Sequence, residues 1–169
     1  MIHDEHPFQD RPEQRDPVRR LRGRLAAPVT IVTAGGPATR TGLTVSSLSV
    51  IEGAPGVVQL VVGPTSDMWD VAATTGRFVV HVCRGSDRPI AEVFAGLRPS
   101  LGGLFSGLDV TDGDHGPIID ALTERAHCQY VDRTEIGYAG VITATITAID
   151  TGDLDDPLIY FRGGYRSLD

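Results

Sequence analysis

Apolar and polar positions in this chain alternate mostly with a period of two, in short runs broken by glycine and proline. Residues 29–34 (Val-Thr-Ile-Val-Thr-Ala) alternate apolar and hydroxyl side chains and predict a strand. Gly35-Gly36-Pro37 predicts a turn. The chain then returns through Arg40 into Thr41-Gly42-Leu43-Thr44-Val45-Ser46-Ser47-Leu48-Ser49-Val50-Ile51, which predicts antiparallel pairing with the first strand. This second stretch sets Leu43, Val45, Val50 and Ile51 beside a dense set of short hydroxyls. A strand that only filled a core would not need them. A strand whose end offers N–H and O–H groups to a polar ligand would.

Further strands are predicted over 57–62, 78–83, 121–131, 141–149 and 157–161. The clearest is 141–149, where Ile142, Ala144, Ile146 and Ala148 share one face and Thr143, Thr145 and Thr147 the other. Asp132-Arg133-Thr134 is read as the turn that leads into it, and residues 112–117 as another turn cluster. Helical spacing is confined to short stretches. Asp16 reads as an N-cap and Pro17 as the first helical position, with Val18, Leu21 and Leu25 at helical intervals and arginines between them. Residues 68–74, capped by Ser66 or Asp67, and residues 89–94 predict two more helices. Residues 96–107 are rich in Gly, Leu and Phe without period and read as a loop, a candidate lid. Residues 1–16 read as a disordered arm and 17–169 as one domain. The sum is a mainly β chain with short helices, six or more antiparallel strands, and a closed or partly closed barrel.

Composition narrows the function classes. At 41% hydrophobic the chain can build a full core. A formal charge of −7 argues against a nucleic-acid grip or an anionic membrane surface. No apolar run is long enough to span a bilayer, and the N-terminus lacks a secretory h-region. Cys83 and Cys128 make neither a disulfide framework nor a zinc signature, which fits a reducing cytoplasm. There is no nucleophile elbow, H-E-x-x-H or phosphate loop. His127 and Cys128 are strand neighbours that point to opposite faces and cannot share a metal, so no metal site is read. His81 reads as a hydrogen-bonded core histidine and His115 as a surface turn residue. No catalytic residue set emerges, so an enzyme on this scaffold would leave the hard chemistry to a bound cofactor.

Several segments, in order, resemble the flavin-reductase-like family of FMN-binding split barrels, the small components of two-component flavin monooxygenases. Gly42-Leu43-Thr44-Val45-Ser46-Ser47, then Ser49-Val50 and Pro55, resembles its G-L-T-V-S-S…S-V…P-P segment. Residues 28–33 resemble P-V-x-I-V-T, and residues 66–69 with 75–80 resemble S-x-x-W…G-R-F-x-V-N. Residues 157–165 resemble the closing P-L-x-Y-F-R-G-x-Y. The likeness covers about residues 18 to 168. It implies a six-stranded antiparallel Greek-key split barrel, a homodimer with FMN or FAD at the interface, NAD(P)H as hydride donor, and release of reduced flavin to a monooxygenase or to oxygen. A non-catalytic flavin, deazaflavin or haem binder, or a barrel serving only as an interaction module, are the competing readings. By position, Leu43, Thr44 and Val45 would offer backbone to the isoalloxazine, and Ser46 and Ser47 would reach the ribityl chain or phosphate. Ser66 and the following helix N-terminus would meet the phosphate. Trp69, Arg162 and Tyr165, which stand in the matching motifs, join the cofactor-binding set.

Three departures qualify the likeness. Relatives place a cation beside the phosphate, whereas Asp67 and Met68 stand here; the carboxylate predicts weak FMN binding, with flavin as a transient substrate or a phosphate-free flavin or other cofactor instead. Relatives carry Asp-His where this chain has Asp132-Arg133, so Arg133 either pairs with a phosphate of NADPH or is a solvated turn residue. His81 stands where relatives often have Asn.

Overall fold

The alternating residues at the start of the barrel do form a strand, but one that is buried on both faces. In the computed structural model, which describes residues 16–168, β1 (Ala27–Pro28) leads into β2 (Thr30–Ala34), all five residues of which are buried. Apart from Asp16, the arm expected over residues 1–16 lies outside the described residues. Val32 and Ala34 point into the barrel, while Ile31 joins Val29, Cys83, Ala91, Phe94 and Ile119 in a second apolar layer outside it. The alternating threonines are hydrogen-bonded within the interior. Thr30 Oγ1 donates to the Val45 carbonyl (2.7 Å) and Thr33 Oγ1 to the Pro117 carbonyl (2.5 Å).

β2 pairs antiparallel with β3 (Thr41–Val45), and two residues later the chain resumes as β4 (Leu48–Ile51). With β5 (Val57–Val62), β6 (Arg77–Val82), β9 (Arg125–Ile136) and β10 (Ala139–Asp150) these strands form one sheet in the order β3-β2-β6-β9-β10-β5-β4. The strands at its two ends, β3 and β4, are consecutive in the chain and joined only by Ser46-Ser47. The sheet therefore curls until its ends meet at one bent segment, a split antiparallel barrel with Greek-key neighbours. Counted as one bent strand, β3–β4 gives this sheet six strands, the number the family resemblance implies. The corner is held by the Val61 N–H, which donates to the Ser47 carbonyl (2.9 Å). Val58, Leu60 and Val62 of β5 face inward with Ile142 and Ala144 of β10, and Met68, Trp69 and Ala72 of α2 (Asp67–Thr75) are buried against them.

The smaller elements complete the scaffold. α1 (Pro17–Gly23) starts as expected, the Asp16 carboxylate accepting from the Val18 N–H (2.9 Å), but no residue of it is buried, and Leu21 and Leu25 are 62% and 64% exposed. α3 (Arg88–Phe94) lies on the outer layer, where Phe94 meets Phe105 of the 96–107 loop edge-on at 5.2 Å. Residues 112–117 are more than a turn: they belong to the hairpin of β7 (Val110–Gly113) and β8 (Gly116–Ile119). The closing segment divides into β11 (Ile159–Phe161) and β12 (Gly164–Arg166), which pair with each other, while β11 also pairs with β1.

The turn expected at Asp132-Arg133-Thr134 does not exist. These residues lie inside β9, and the chain reverses at Gly137-Tyr138. The polar run is the solvent-facing end of a strand, which composition alone does not separate from a turn. The face expected to run through Ala148 also breaks. Register shifts at Thr143/Ala144 and Ile146/Ala148 leave Ile149 61% exposed.

Candidate functional site

The corner at Ser46-Ser47 is where the site is built. β3 is the last strand of the sheet on its side, so one edge of its backbone has no ladder partner among the described strands. Below that edge is a cavity of about 250 Å3 lined by Val29, Thr44, Ser46, Leu97, Tyr160 and Tyr165. On the other side of Ser46 opens a groove of about 1220 Å3, which includes Ser47, Ser49 and Gln59. Ser46 and Tyr160 line both, so cavity and groove meet at them. Tyr165 is 8% exposed, with its ring 5.4 Å from that of Tyr160 and the Arg88 guanidinium 5.7 Å from its centroid. Burial pushes its phenol up to about 12, so at neutral pH it stays protonated and lends a wall rather than a charge.

The expected site residues divide into two groups. Thr44, Ser46, Ser47, Tyr165 and Arg162 gather at the corner, although the Thr44 hydroxyl is committed to the Ala91 carbonyl (2.7 Å) and ties β3 to α3. Val45 is buried and Leu43 is half-buried against the barrel core, which leaves only their backbone for a ligand. Ser66, Trp69 and Arg133 form a separate cluster that lines neither cavity nor groove. Ser66 Oγ donates to the Gly63 carbonyl (2.7 Å), and the first turn of α2 carries Asp67 and Asp70, so that helix end already holds two carboxylates. Arg133 is neither a turn residue nor a free cation. Its guanidinium lies 4.7 Å from the Trp69 ring centroid, donates to the Trp69 carbonyl and pairs with Asp70 (3.0 Å). It clamps α2 onto β9.

Arg162 occupies a turn that does not suit it. Phe161 pairs with Gly164 across Arg162-Gly163, whose φ angles are +51° and +78°. A two-residue turn with both φ positive favours Asn or Gly. Arg162 is the one non-glycine with positive φ among the described residues. Its N–H donates to the Gly23 carbonyl (2.9 Å), which fixes the turn against the end of α1. Replacing it with glycine should raise the urea midpoint by an amount worth about 1 kcal/mol while weakening ligand binding at the groove. A variant no more stable than the parent would show that the turn holds no strain.

Sequence reasoning passed over the arginines of α1, which it read as the polar face of a helix. The groove is lined by Arg19, Arg20, Arg22, Arg24 and Arg162. The signal was present: the 15 basic residues are all arginine, and four of them fall within residues 19–24 of an acidic chain.

Comparisons with known proteins agree with this architecture. Residues 22–169 match the family described as "flavin reductase like domain". The chain is 25% identical over 158 residues to the FMN reductase (NADH) RutF of Stutzerimonas stutzeri, covering 93% of this chain and 90% of that one. It is 27% identical over 145 residues to the 4-hydroxyphenylacetate 3-monooxygenase reductase component of Thermus thermophilus, covering 86% of this chain and 91% of that one. Among solved structures it resembles in fold the NADH:FAD oxidoreductase of Streptomyces globisporus, with a TM-score of 0.81, 22% identity, and coverage of 94% and 96%.

Proposed function

The chain belongs to the flavin reductase like domain family and is a flavin oxidoreductase, and on that premise we propose that it moves hydride from a reduced nicotinamide nucleotide, NADH or NADPH, to FMN or FAD and supplies the reduced flavin to a monooxygenase. The observation that carries this reading is the corner itself, where a free strand edge, paired hydroxyls and two tyrosines surround a cavity that opens into a cationic groove. Flavin bound there would accept the hydride together with one proton from water, leaving an oxidised nicotinamide and a reduced flavin. The backbone of Leu43, Thr44 and Val45 would face the ring system, and Ser46 and Ser47 the ribityl chain. Tyr160 and Tyr165 would shield it from water. Ser66, Trp69 and Arg133 would act at one remove, by holding α2 and the barrel wall in place. The relative from Thermus, a monooxygenase reductase component by name, supports the oxygenase as partner.

The chain is also proposed to be a homodimer, because the outer surface of β4, β5 and β9 leaves Val50, Val61 and Val131 exposed at 63%, 41% and 57%. A cytoplasmic setting is supported by two buried, unpaired cysteines whose thiols burial pushes up to about 12.

The test is nicotinamide oxidation followed by absorbance, with FMN, FAD and riboflavin added in turn. Oxidation is expected only when flavin is supplied. A protein that binds flavin tightly yet oxidises neither NADH nor NADPH would instead be a flavin-binding module.

A further inference from the structure

We propose that the arginine-lined groove is a binding site for the pyrophosphate of an adenine dinucleotide. This rests on the reductase reading for its choice of ligand. The charge pattern itself is independent of that reading. In a chain of net charge −7, six of the 15 arginines are already paired with carboxylates. Arg40 pairs with Asp112, Arg84 with Asp87, Arg88 and Arg98 with Glu92, Arg125 with Asp150, and Arg133 with Asp70. Arg20, Arg22, Arg24 and Arg162 have no carboxylate partner among the described residues, and all four line the groove. Among the described residues no Asp or Glu lines it. Uncompensated guanidinium groups gathered in one concavity repel one another, and an anionic ligand relieves that repulsion.

A plainer account is that Arg20 and Arg22, in the last turn of α1, merely complement the helix dipole. That account does not reach Arg162, which comes from the β11–β12 turn and is set beside α1 by its backbone bond to Gly23. Arg20 and Arg24 are one helical turn apart and so share a face. Three planar forks from two elements suit two adjacent phosphoryl groups better than one. The volumes agree. The groove is the larger space, and it joins the small cavity at Ser46 and Tyr160, so a ligand with its ring at the corner would extend its phosphates along α1. The end of α2, with Asp67 and Asp70 in its first turn, offers an anion no such welcome.

The flavin and the nicotinamide donor can both carry this pyrophosphate, and the experiment separates them. The primary measurement is calorimetric titration of the protein with ADP and with adenosine, for the parent, R20Q/R22Q/R24Q and R20K/R22K/R24K. ADP should bind the parent at least about tenfold more tightly than adenosine, lose about tenfold or more in the glutamine variant, and recover part of that in the lysine variant, with the preference weakening as salt rises. All three positions are exposed on a helix that buries nothing, so the variants should fold; circular dichroism checks this. ADP affinity within twofold across all three proteins, or equal to that of adenosine, would overturn the proposal. The source follows from steady-state ratios. A rise in the KM for FAD relative to riboflavin in the glutamine variant names the flavin. A rise in the KM for NADH relative to reduced nicotinamide mononucleotide names the donor. A parent protein that turns over no flavin would defeat the reductase reading, while the ADP titration would still decide the groove.

Discussion

Acidifying the protein from above pH 6.5 to about 4 should cost the fold roughly 3 kcal/mol through one side chain, His81. His81 is fully buried in β6. Its Nδ1–H donates to the Ile31 carbonyl (3.1 Å), and its Nε2 accepts from the Ile119 N–H (3.2 Å). These partners require the neutral Nδ1–H tautomer, because a protonated ring would turn a donor toward the Ile119 N–H. Burial is the larger cause and lowers the folded-state pKa from 6.5 to about 4, with the charges of Arg125 and His127 adding to it. The sign follows from linkage. Between these values the unfolded chain binds a proton that the folded chain refuses, so stability rises with pH across the window, is complete above 6.5, and is lost as pH falls toward 4. Asp112, Asp150 and Glu92, whose carboxyls are held below the usual range by bonds to Arg40, His127 and Arg88, contribute stability that disappears only at lower pH. The measurement is the urea midpoint at a series of pH values for the parent and His81→Asn. An asparagine amide can offer one donor and one acceptor without titrating. The variant should therefore lose most of the slope between pH 4 and 6.5, the remainder belonging to His115, whose pKa burial also lowers, and an unchanged slope would remove His81 from the account.

That the histidine is a core residue was legible in the sequence; its partners were not, because Ile31 and Ile119 lie far from it in the chain and meet only when β8 folds over β2. The same distinction runs through the molecule. Period-two patterning places β5 and the first half of β10, since each buries a face set by its own alternation, and it places β2 as a strand without showing that both its faces are buried. It fails after Ile146, where a register shift turns the strand and no local residue type announces it. It fails again at Asp132-Arg133-Thr134, because the solvent-facing end of a long strand and a turn select the same polar residues. At the site, the hydroxyl-rich corner was readable from composition along eleven consecutive residues, 41–51. The cationic groove was not, because it joins residues 19–24 to Arg162 through a contact between Gly23 and a turn at the far end of the chain. Segments matched to one family motif also need not converge. Ser66 and Trp69 keep their order in the chain yet stand apart from the corner, at the start of α2, which Arg133 of β9 holds in place.

Gly42→Ala should destabilise the protein by roughly 2 kcal/mol and damage the corner with it. Gly42 lies in β3 with ordinary strand backbone, so left-handed geometry does not explain its presence. The reason is contact. A Cβ added there would sit 2.4 Å from Phe94 Cε1 and 2.7 Å from Cδ1, closer than carbon atoms approach. Phe94 cannot easily retreat, being 2% exposed and packed edge-on against Phe105. The strain must then pass to α3. That helix carries the Ala91 carbonyl to which Thr44 is bonded, and just beyond its end lies Leu97, which lines the cavity. The substitution should therefore raise the KM for flavin as well as lower the urea midpoint, a pairing that loss of bulk stability alone would not produce at temperatures well below unfolding. A second change, Phe94→Leu, removes the clashing ring atoms. Alone it should cost a few kcal/mol for the cavity it leaves. Combined with Gly42→Ala it should cost less than the sum, a coupling of about 1 kcal/mol or more in a double-mutant cycle. Additive effects would mean that β3 and α3 adjust independently, and the glycine of the Gly-Leu-Thr-Val-Ser-Ser segment would then need another explanation.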